Sequence, residues 1–563
     1  MIGRTLRWII ALACTVCLWT ARAEAQGPAP AAAVPQLPAA AIDKIFAPWD
    51  RTISPGCAVG VASRGHLLHL QGYGMANLEY GVRIRPTTIF ESGSVAKQFT
   101  AAAIALLAQD GKLSIEDPVR KFVPELPDFG KPILIRHLLN HTSGLRSQWP
   151  MLTLAGRPPG RAVHSVDEIL ELVSAFRELN FPPGDEYLYN NTGYTLLGVV
   201  VARASGKSLD GFCQERLFRP LGMTRTRWRD DFTTIVEDRA TAYRRLPNGE
   251  FRAEMPFTNV VGNGGLLTTA GDLLLWNENL DRPRVGGRVL VDQLQARGRL
   301  NDGFETEYAQ GLFVREYRGT REVSHSGSTA GYHAFLARFP DEGLSVAVLC
   351  NATGTDPAAY AHEIADIVLA GKLKERPSAR LFDVASSTLE RMAGYYLEKS
   401  TDLLMRLVWD DKAKQLKVGE QVLVPTGDGE LMVADGSRTY STGMGWPGGL
   451  APGRLTERAA GLKPRAWELQ RPFRPMAADL TAFTGDYVSD ELGVTYNVFV
   501  EAEALKVHFR PAIRLVLTPA FADGFETGGH TFRFTRGADG QIDGLLITAD
   551  RARRVRFVKR IPR

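Results

Sequence analysis

Two hairpin patterns far apart in the chain constrain this fold more than any other feature. Cys57 to Ala62 and His66 to Gly72 are strand-like runs separated by Ser63-Arg64-Gly65. Tyr332 to Phe339 and Leu344 to Cys350 flank a second turn, Pro340-Asp341-Glu342-Gly343. Short apolar runs bounded by Gly, Pro, Asp and Ser read as strands joined by turns. The stretch between the hairpins carries helical periodicity instead. Val95 to Gln109 is its clearest helix, ending at Asp110-Gly111, where glycine can take the left-handed cap. Val166 to Leu179 and Thr192 to Ser205 are further helices. Hairpins at both ends of a helical region predict one antiparallel sheet closed by the two ends of an α+β domain. A helical subdomain is inserted between them, and the whole unit covers residues 41–373.

The chain is longer than one core supports: 563 residues call for two to four domains. After Lys374 the helical period fades, and short alternating segments with Gly/Asp turns take over, as in small β-barrels. An internal repeat is visible there. Leu389-x-x-Met392-x-Gly394-x-Tyr396 matches Leu480-x-x-Phe483-x-Gly485-x-Tyr487. Gln415-Leu416-Lys417-Val418 matches Ala504-Leu505-Lys506-Val507, and Val422-Leu423-Val424-Pro425 recurs as Leu515-Val516-Leu517-Thr518-Pro519. Two all-β barrel-like domains follow, residues 385–470 and 478–563, joined near Arg471-Pro472-Phe473-Arg474-Pro475. Neither repeat carries a catalytic pattern.

The N-terminus reads as an address. Arg4 and Arg7 precede an apolar stretch from Trp8 to Thr20, and Ala21-Arg22-Ala23 and Ala23-Glu24-Ala25 each offer a small-x-small cleavage site. This is the layout of a secretory signal peptide over residues 1–25, too short for a comfortable membrane span. A lipoprotein anchor at Cys14 is disfavoured, because cleavage there leaves an apolar core of only a few residues. An Ala/Pro linker follows over residues 26–40, and no later segment is apolar enough for a membrane helix. A secreted or periplasmic protein is expected. A net charge of +5 with scattered basic residues leaves no footprint for nucleic acid.

Removal of the signal leaves Cys57, Cys213 and Cys350, either as one disulfide with a free thiol or as three unpaired thiols. His137 and His141 stand four apart, as metal ligands on one helix face do, but Leu138, Leu139 and Asn140 between them supply no base. Structural histidines are the better reading, and no metal or other cofactor is expected. Oligomeric state is not written in the sequence.

Chemistry concentrates in three places. Glu91-Ser92-Gly93-Ser94-Val95-Ala96-Lys97 holds the one S-x-x-K of the chain, at the start of its best helix. Residues three apart on a helix share a face. A serine hydroxyl needs a base to become a nucleophile. A lysine is that base only when neutral, and burial and the positive end of the helix dipole both favour loss of its proton. The second place is Tyr189-Asn190-Asn191, delivered by the turn-rich Phe181-Pro182-Pro183-Gly184 just before a helix. A phenol can move a proton to a leaving group, and an amide can orient a substrate carbonyl. The third is His325-Ser326-Gly327-Ser328, ahead of the strand at Tyr332, where glycine admits substrate close to backbone and the next N–H can serve an oxyanion.

The order S-x-x-K, Y-x-N, H-x-G resembles the serine β-lactamase and penicillin-binding-protein superfamily, in its class C-like branch of DD-carboxypeptidases, D-aminopeptidases and esterases. His137-Leu138-Leu139-Asn140-His141-Thr142-Ser143-Gly144-Leu145 and the run from Gly264 to Leu273 resemble the same family, over about Ala41 to Gly371. The two C-terminal β domains are similar to those of D-aminopeptidases. The resemblance implies a β-lactamase/transpeptidase-like fold, with Ser94 acylated and Lys97 accepting its proton. Tyr189 would assist the leaving group and the deacylating water, and Asn191 would bind the substrate amide. The N–H groups of Ser94 and Ser328 would form the oxyanion hole, with Gly327 beside them. His325 stands where many β-lactamases place a lysine for the substrate carboxylate. A histidine is largely neutral near pH 7, and it favours a D-peptidase or esterase over a β-lactamase. If it met substrate charge, its titration would show in the neutral range. The expected partner is a small-molecule or peptide substrate. A sensor that binds penicillin without turnover is the alternative of another class, opposed by retention of both Lys97 and Tyr189. No G-x-S-x-G elbow points to an α/β-hydrolase.

Overall fold

The computed structural model describes residues 38–375, 381–443, 445–446, 453–510 and 513–560. The predicted signal peptide, and the linker as far as residue 37, lie outside the described residues. The last two linker residues are already helical. They open α1 (Ala39–Phe46), whose Ile42 and Phe46 bury against the sheet.

The predicted hairpins are β1 (Cys57–Ser63) with β2 (His66–Tyr73), and β5 (Tyr332–Phe339) with β6 (Leu344–Cys350). With β3 (Phe313–Tyr317) and β4 (Thr320–Thr329) they form a six-stranded antiparallel sheet in the order β3-β4-β5-β6-β1-β2. The hairpins close on each other along β1 and β6, from Cys57 opposite Cys350 to Ser63 opposite Leu344. This register selects between the cysteine alternatives: Cys57 and Cys350 form a disulfide, and Cys213 is a buried free thiol.

Side-chain alternation divides the sheet between two cores. Val59, Val61, Val346 and Val348 cluster with Ala361, Ile364 and Ala365 of a helix over Pro357–Val368. Ala58, Ala347 and Leu349 join the helical core on the other face. That core holds α2 (Lys97–Gln109), buried from Lys97 to Leu107, packed on α4 (Asn191–Ser205). Between them, α3 (Val166–Ser174) stops short of the predicted Leu179. Its last turn closes on itself, Ala175 N–H donating to the Leu172 carbonyl at 3.2 Å and Phe176 N–H to the Val173 carbonyl at 3.1 Å, and beyond it Arg177 N–H donates to the Glu491 carboxylate at 3.3 Å.

The repeat corresponds to two closed eight-stranded antiparallel barrels, from Gly394–Glu398 to Arg465–Leu469 and from Gly485–Ser489 to Ala552–Lys559. Its matched residues do matched work. Tyr396 donates to the Met392 carbonyl at 3.0 Å, and Tyr487 to the Phe483 carbonyl at 2.8 Å. Gly394 (φ 151°) and Gly485 (φ 137°) turn the chain into the first strand in a conformation that favours glycine. Pro425 and Pro519 both sit at register shifts between the fourth and fifth strands, where a missing N–H breaks no ladder bond.

The two barrels differ in how they dock. The first has a core of its own, whereas the second barrel's core is continuous with that of the α+β domain. Buried Arg146 ion-pairs with buried Glu491 of the second barrel and donates to the Arg553 carbonyl at 3.2 Å. Tyr496 donates to the Leu154 carbonyl at 2.7 Å.

Candidate active site

Ser94 lies in a 3₁₀ turn, Gly93–Ala96, that feeds α2. Two glycines let this turn rest directly on β4. Gly93 has φ 53°, and a Cβ there would come within 2.5 Å of the Ser328 backbone nitrogen. A Cβ on Gly327 would fall 2.0 Å from the Ser92 carbonyl oxygen and 3.0 Å from the Ser94 nitrogen. Only backbone fits in that gap, so Ser94, Gly327 and Ser328 are brought together as the sequence predicted.

Lys97 is completely buried, and its Nζ has three neighbours: Ser94 Oγ at 3.0 Å, Asn191 Oδ1 at 2.9 Å and the Asn263 carbonyl at 2.7 Å. Burial, reinforced by the positive charge of Arg551, pushes its pKa well below the usual lysine value. A neutral amine has two N–H donors and one lone pair. The amide oxygen and the carbonyl can only accept, so they take the two donors. The lone pair then faces the Ser94 hydroxyl, the arrangement a general base requires.

Tyr189 and Asn191 flank the start of α4, where Asn190 caps the helix by accepting the Gly193 N–H at 2.8 Å. The Tyr189 ring lies 4.9 Å from Lys97 Nζ and lines the cleft with Ser94. Burial raises its pKa above the usual phenol value, so it is a protonated donor at neutral pH. Beneath it packs His141, with ring centroids 4.3 Å apart. His141 Nδ1 accepts the Asn190 N–H at 3.0 Å, and His137 Nδ1 accepts the Leu134 N–H at 3.2 Å. Both histidines therefore work as backbone acceptors.

His325 lies in the wall of the same cleft. It is 2% exposed, and Nδ1 donates to the Ser326 carbonyl at 2.6 Å, which leaves Nε2 to accept the Tyr308 hydroxyl at 3.1 Å. Burial, with Lys97 nearby, lowers its pKa to about 3. It is neutral throughout the physiological range, and the titration expected of it near pH 7 is corrected to one far into acid.

The site opens into a cleft of about 1210 Å³ lined by Ser94, Tyr189, Asn191, His325, Gly327 and Ser328 together. Glu91, on its wall, is neutralised by Arg229 at 2.9 Å and Arg239 at 3.4 Å. Two contributors escaped the sequence. Asn263 acts through its backbone carbonyl, and the glycine run that follows it was the available signal. Arg551, from the turn between the last two strands of the second barrel, lines the cleft with its guanidinium 5.7 Å from the Tyr189 ring centre. No local motif marks it.

The β-lactamase family profile matches residues 41–370, and the chain belongs to that family. A D-aminopeptidase of Gluconobacter oxydans (strain 621H) is 27% identical over 355 residues, spanning 63% of this chain and 65% of that protein. A solved octameric penicillin-binding protein homologue from Pyrococcus abyssi superposes with a TM-score of 0.55, at 22% identity, over 85% of this chain and 100% of its own. The D-amino acid amidase of Ochrobactrum anthropi SV3, complexed with L-phenylalanine, gives a TM-score of 0.50 at 22% identity, covering 59% and 98% of the two chains. These two structures show the shared fold.

Proposed function

We propose that this protein is an exported serine hydrolase that cleaves small amides or esters, D-amino-acid peptides foremost, through an acyl-enzyme on Ser94. The observation that carries the proposal is the buried Lys97 amine, held between the Asn191 and Asn263 oxygens and the Ser94 hydroxyl. In this reading Lys97 takes the Ser94 proton as Oγ attacks the substrate carbonyl. The backbone N–H groups of Ser94 and Ser328, side by side across Gly93 and Gly327, hold the oxyanion. Tyr189, a protonated phenol on the cleft wall with Ser94, passes a proton to the departing amine or alkoxide, and Asn191 orients the substrate amide. Water then attacks the acyl-enzyme by the reverse route. Metal and cofactor have no step in it.

The D-aminopeptidase of Gluconobacter oxydans supports the choice of D-amino-acid substrates. A neutral His325 disfavours efficient β-lactam hydrolysis. The signal-like N-terminus and the Cys57–Cys350 disulfide support an oxidising compartment outside the cytoplasm. The test is a panel of D- and L-amino-acid p-nitroanilides, short esters and benzylpenicillin, with Ser94→Ala as control. Hydrolysis of the D-series that vanishes in Ser94→Ala is expected. Preference for the L-series or for the lactam would overturn the substrate assignment.

A further inference from the structure

The third motif leaves the cleft without the cation that a lysine there would supply. His325 is buried and neutral, and the Lys97 amine is buried against Ser94. Arg244, also on the cleft wall, sits 3.6 Å from Glu254. Arg551 is different. Asp550 holds its Nε at 2.7 Å, and neither Nη has a hydrogen-bond partner among the described residues. The Arg551 side chain is 29% exposed and faces the cleft.

The turn that carries Arg551 is clamped to the segment that delivers Tyr189. The Arg551 carbonyl accepts the Ser147 N–H at 3.0 Å and the Asn180 side-chain amide at 3.1 Å. Arg553 N–H donates back to Asn180 Oδ1 at 2.8 Å, and Arg553 ion-pairs with Glu186 at 2.9 Å. The guanidinium is thus a placed group rather than a waving one. Two free N–H donors on adjacent nitrogens match a carboxylate bidentately. Tyr189 is the proton donor to the leaving group in the reading above, so a cation over its ring stands on the leaving-group side of the scissile bond.

We propose that Arg551, supplied by the second barrel, binds a carboxylate on the leaving group, so that the preferred substrates are peptide acids whose departing residue is a free amino acid. Neutral amides and simple esters would be poorer. The proposal rests on the Ser94 acyl-enzyme reading and gives the second barrel a part in substrate selection.

The experiment measures kcat/KM for D-alanyl-D-alanine and its C-terminal amide, each with a free and an acetylated N-terminus, on the full-length enzyme and on Arg551→Gln and Arg551→Lys. Wild type is expected to favour the acids roughly ten- to a hundredfold, the range of a charge-assisted pair. Arg551→Gln should erase that preference, slowing the acids roughly ten- to a hundredfold beyond any loss shared with the amides through its charge near Lys97, and Arg551→Lys should keep part of it. Equal rates on acid and amide in the wild type, or equal losses on both in Arg551→Gln, would overturn the proposal. If none of the four peptides is hydrolysed, the D-peptide reading fails separately, and calorimetry on Ser94→Ala decides the role of Arg551. Tighter binding of the acid than of the amide, lost in Ser94→Ala/Arg551→Gln, sustains the role. Equal binding, or none, ends it.

Discussion

Glu491 lies in the second barrel, remote in sequence from Ser94, yet its removal is expected to reach the active site. Its side chain is 5% exposed and is the buried counter-ion of Arg146, itself 1% exposed. Replacing it by Gln keeps the shape and the acceptor for the Arg177 N–H but leaves a buried guanidinium without its charge partner. Breaking a buried pair from one side costs about 3–5 kcal/mol. Arg146 retains the half-exposed Glu178 carboxylate at 3.5 Å and the Arg553 carbonyl at 3.2 Å, so the lower end, about 3 kcal/mol, is the expectation. The strain falls two residues from Arg551, and kcat/KM on peptide acids should drop with the stability. Urea unfolding followed by tryptophan fluorescence, with activity read in the same samples, measures both. The double variant Arg146→Met/Glu491→Met leaves no orphan charge and should recover most of the lost stability. A Glu491→Gln protein with wild-type midpoint and activity, or a double variant no better than the single one, would rule out a stabilising Arg146–Glu491 pair.

Other outcomes follow from the same geometry. Lys97→Met should slow acylation by about 10²- to 10⁴-fold, the contribution of a positioned base, as read by the pre-steady-state burst on a chromogenic D-alanyl ester. The pH profile should rise as the Lys97 amine loses its proton, below the usual lysine range, and neither Tyr189, which is raised, nor His325, lowered to about 3, should add an inflection near neutrality. An inflection between pH 6 and 8 that disappears in His325→Gln would contradict this. Stability behaves in the matching way. His325 folds neutral with a pKa of about 3 against 6.5 unfolded, and His137 with about 4, so the unfolded chain binds more protons as pH falls. Their contribution is whole above 6.5 and is lost downwards through that window, which thermal melts across pH 7 to 4 would register. Gly327→Ala should cost at least about 10² in kcat, comparable to loss of an oxyanion donor, since its methyl group would push the serine turn off β4. Wild-type rates would reject that contact.

Much of the fold was legible because it rests on local signals. The hairpins at the two ends of the α+β region announced a sheet closed by β1 and β6, and the Gly-x-Tyr repeats announced paired barrels. Ser94 and Lys97 were legible for the same reason, as one turn of helix fixes their proximity. What escaped depends on partners distant in the chain. The Val166 helix ends at Ser174, and the Arg177 N–H just past it goes to Glu491 of the second barrel, a partner not visible from the helix's own period. Asn263 contributes a carbonyl, which every residue type possesses. Arg551 resembles any other arginine in a β-turn until the second barrel docks through Arg146 and Asn180. His325 was read from its intrinsic pKa, and only the packing of Tyr308, Tyr189 and Phe313 around its ring reveals how far burial displaces it.

Covalent trapping reads the Ser94 acyl-enzyme itself. The mature protein is mixed with a chromogenic D-alanyl ester, quenched in acid within the first turnover, and its intact mass and peptide map are recorded beside those of Ser94→Ala. A mass gain of one D-alanyl group is expected on the peptide that contains Ser94, absent from the variant. An acyl group mapped to any other residue, or ester turnover that survives in Ser94→Ala, would contradict it.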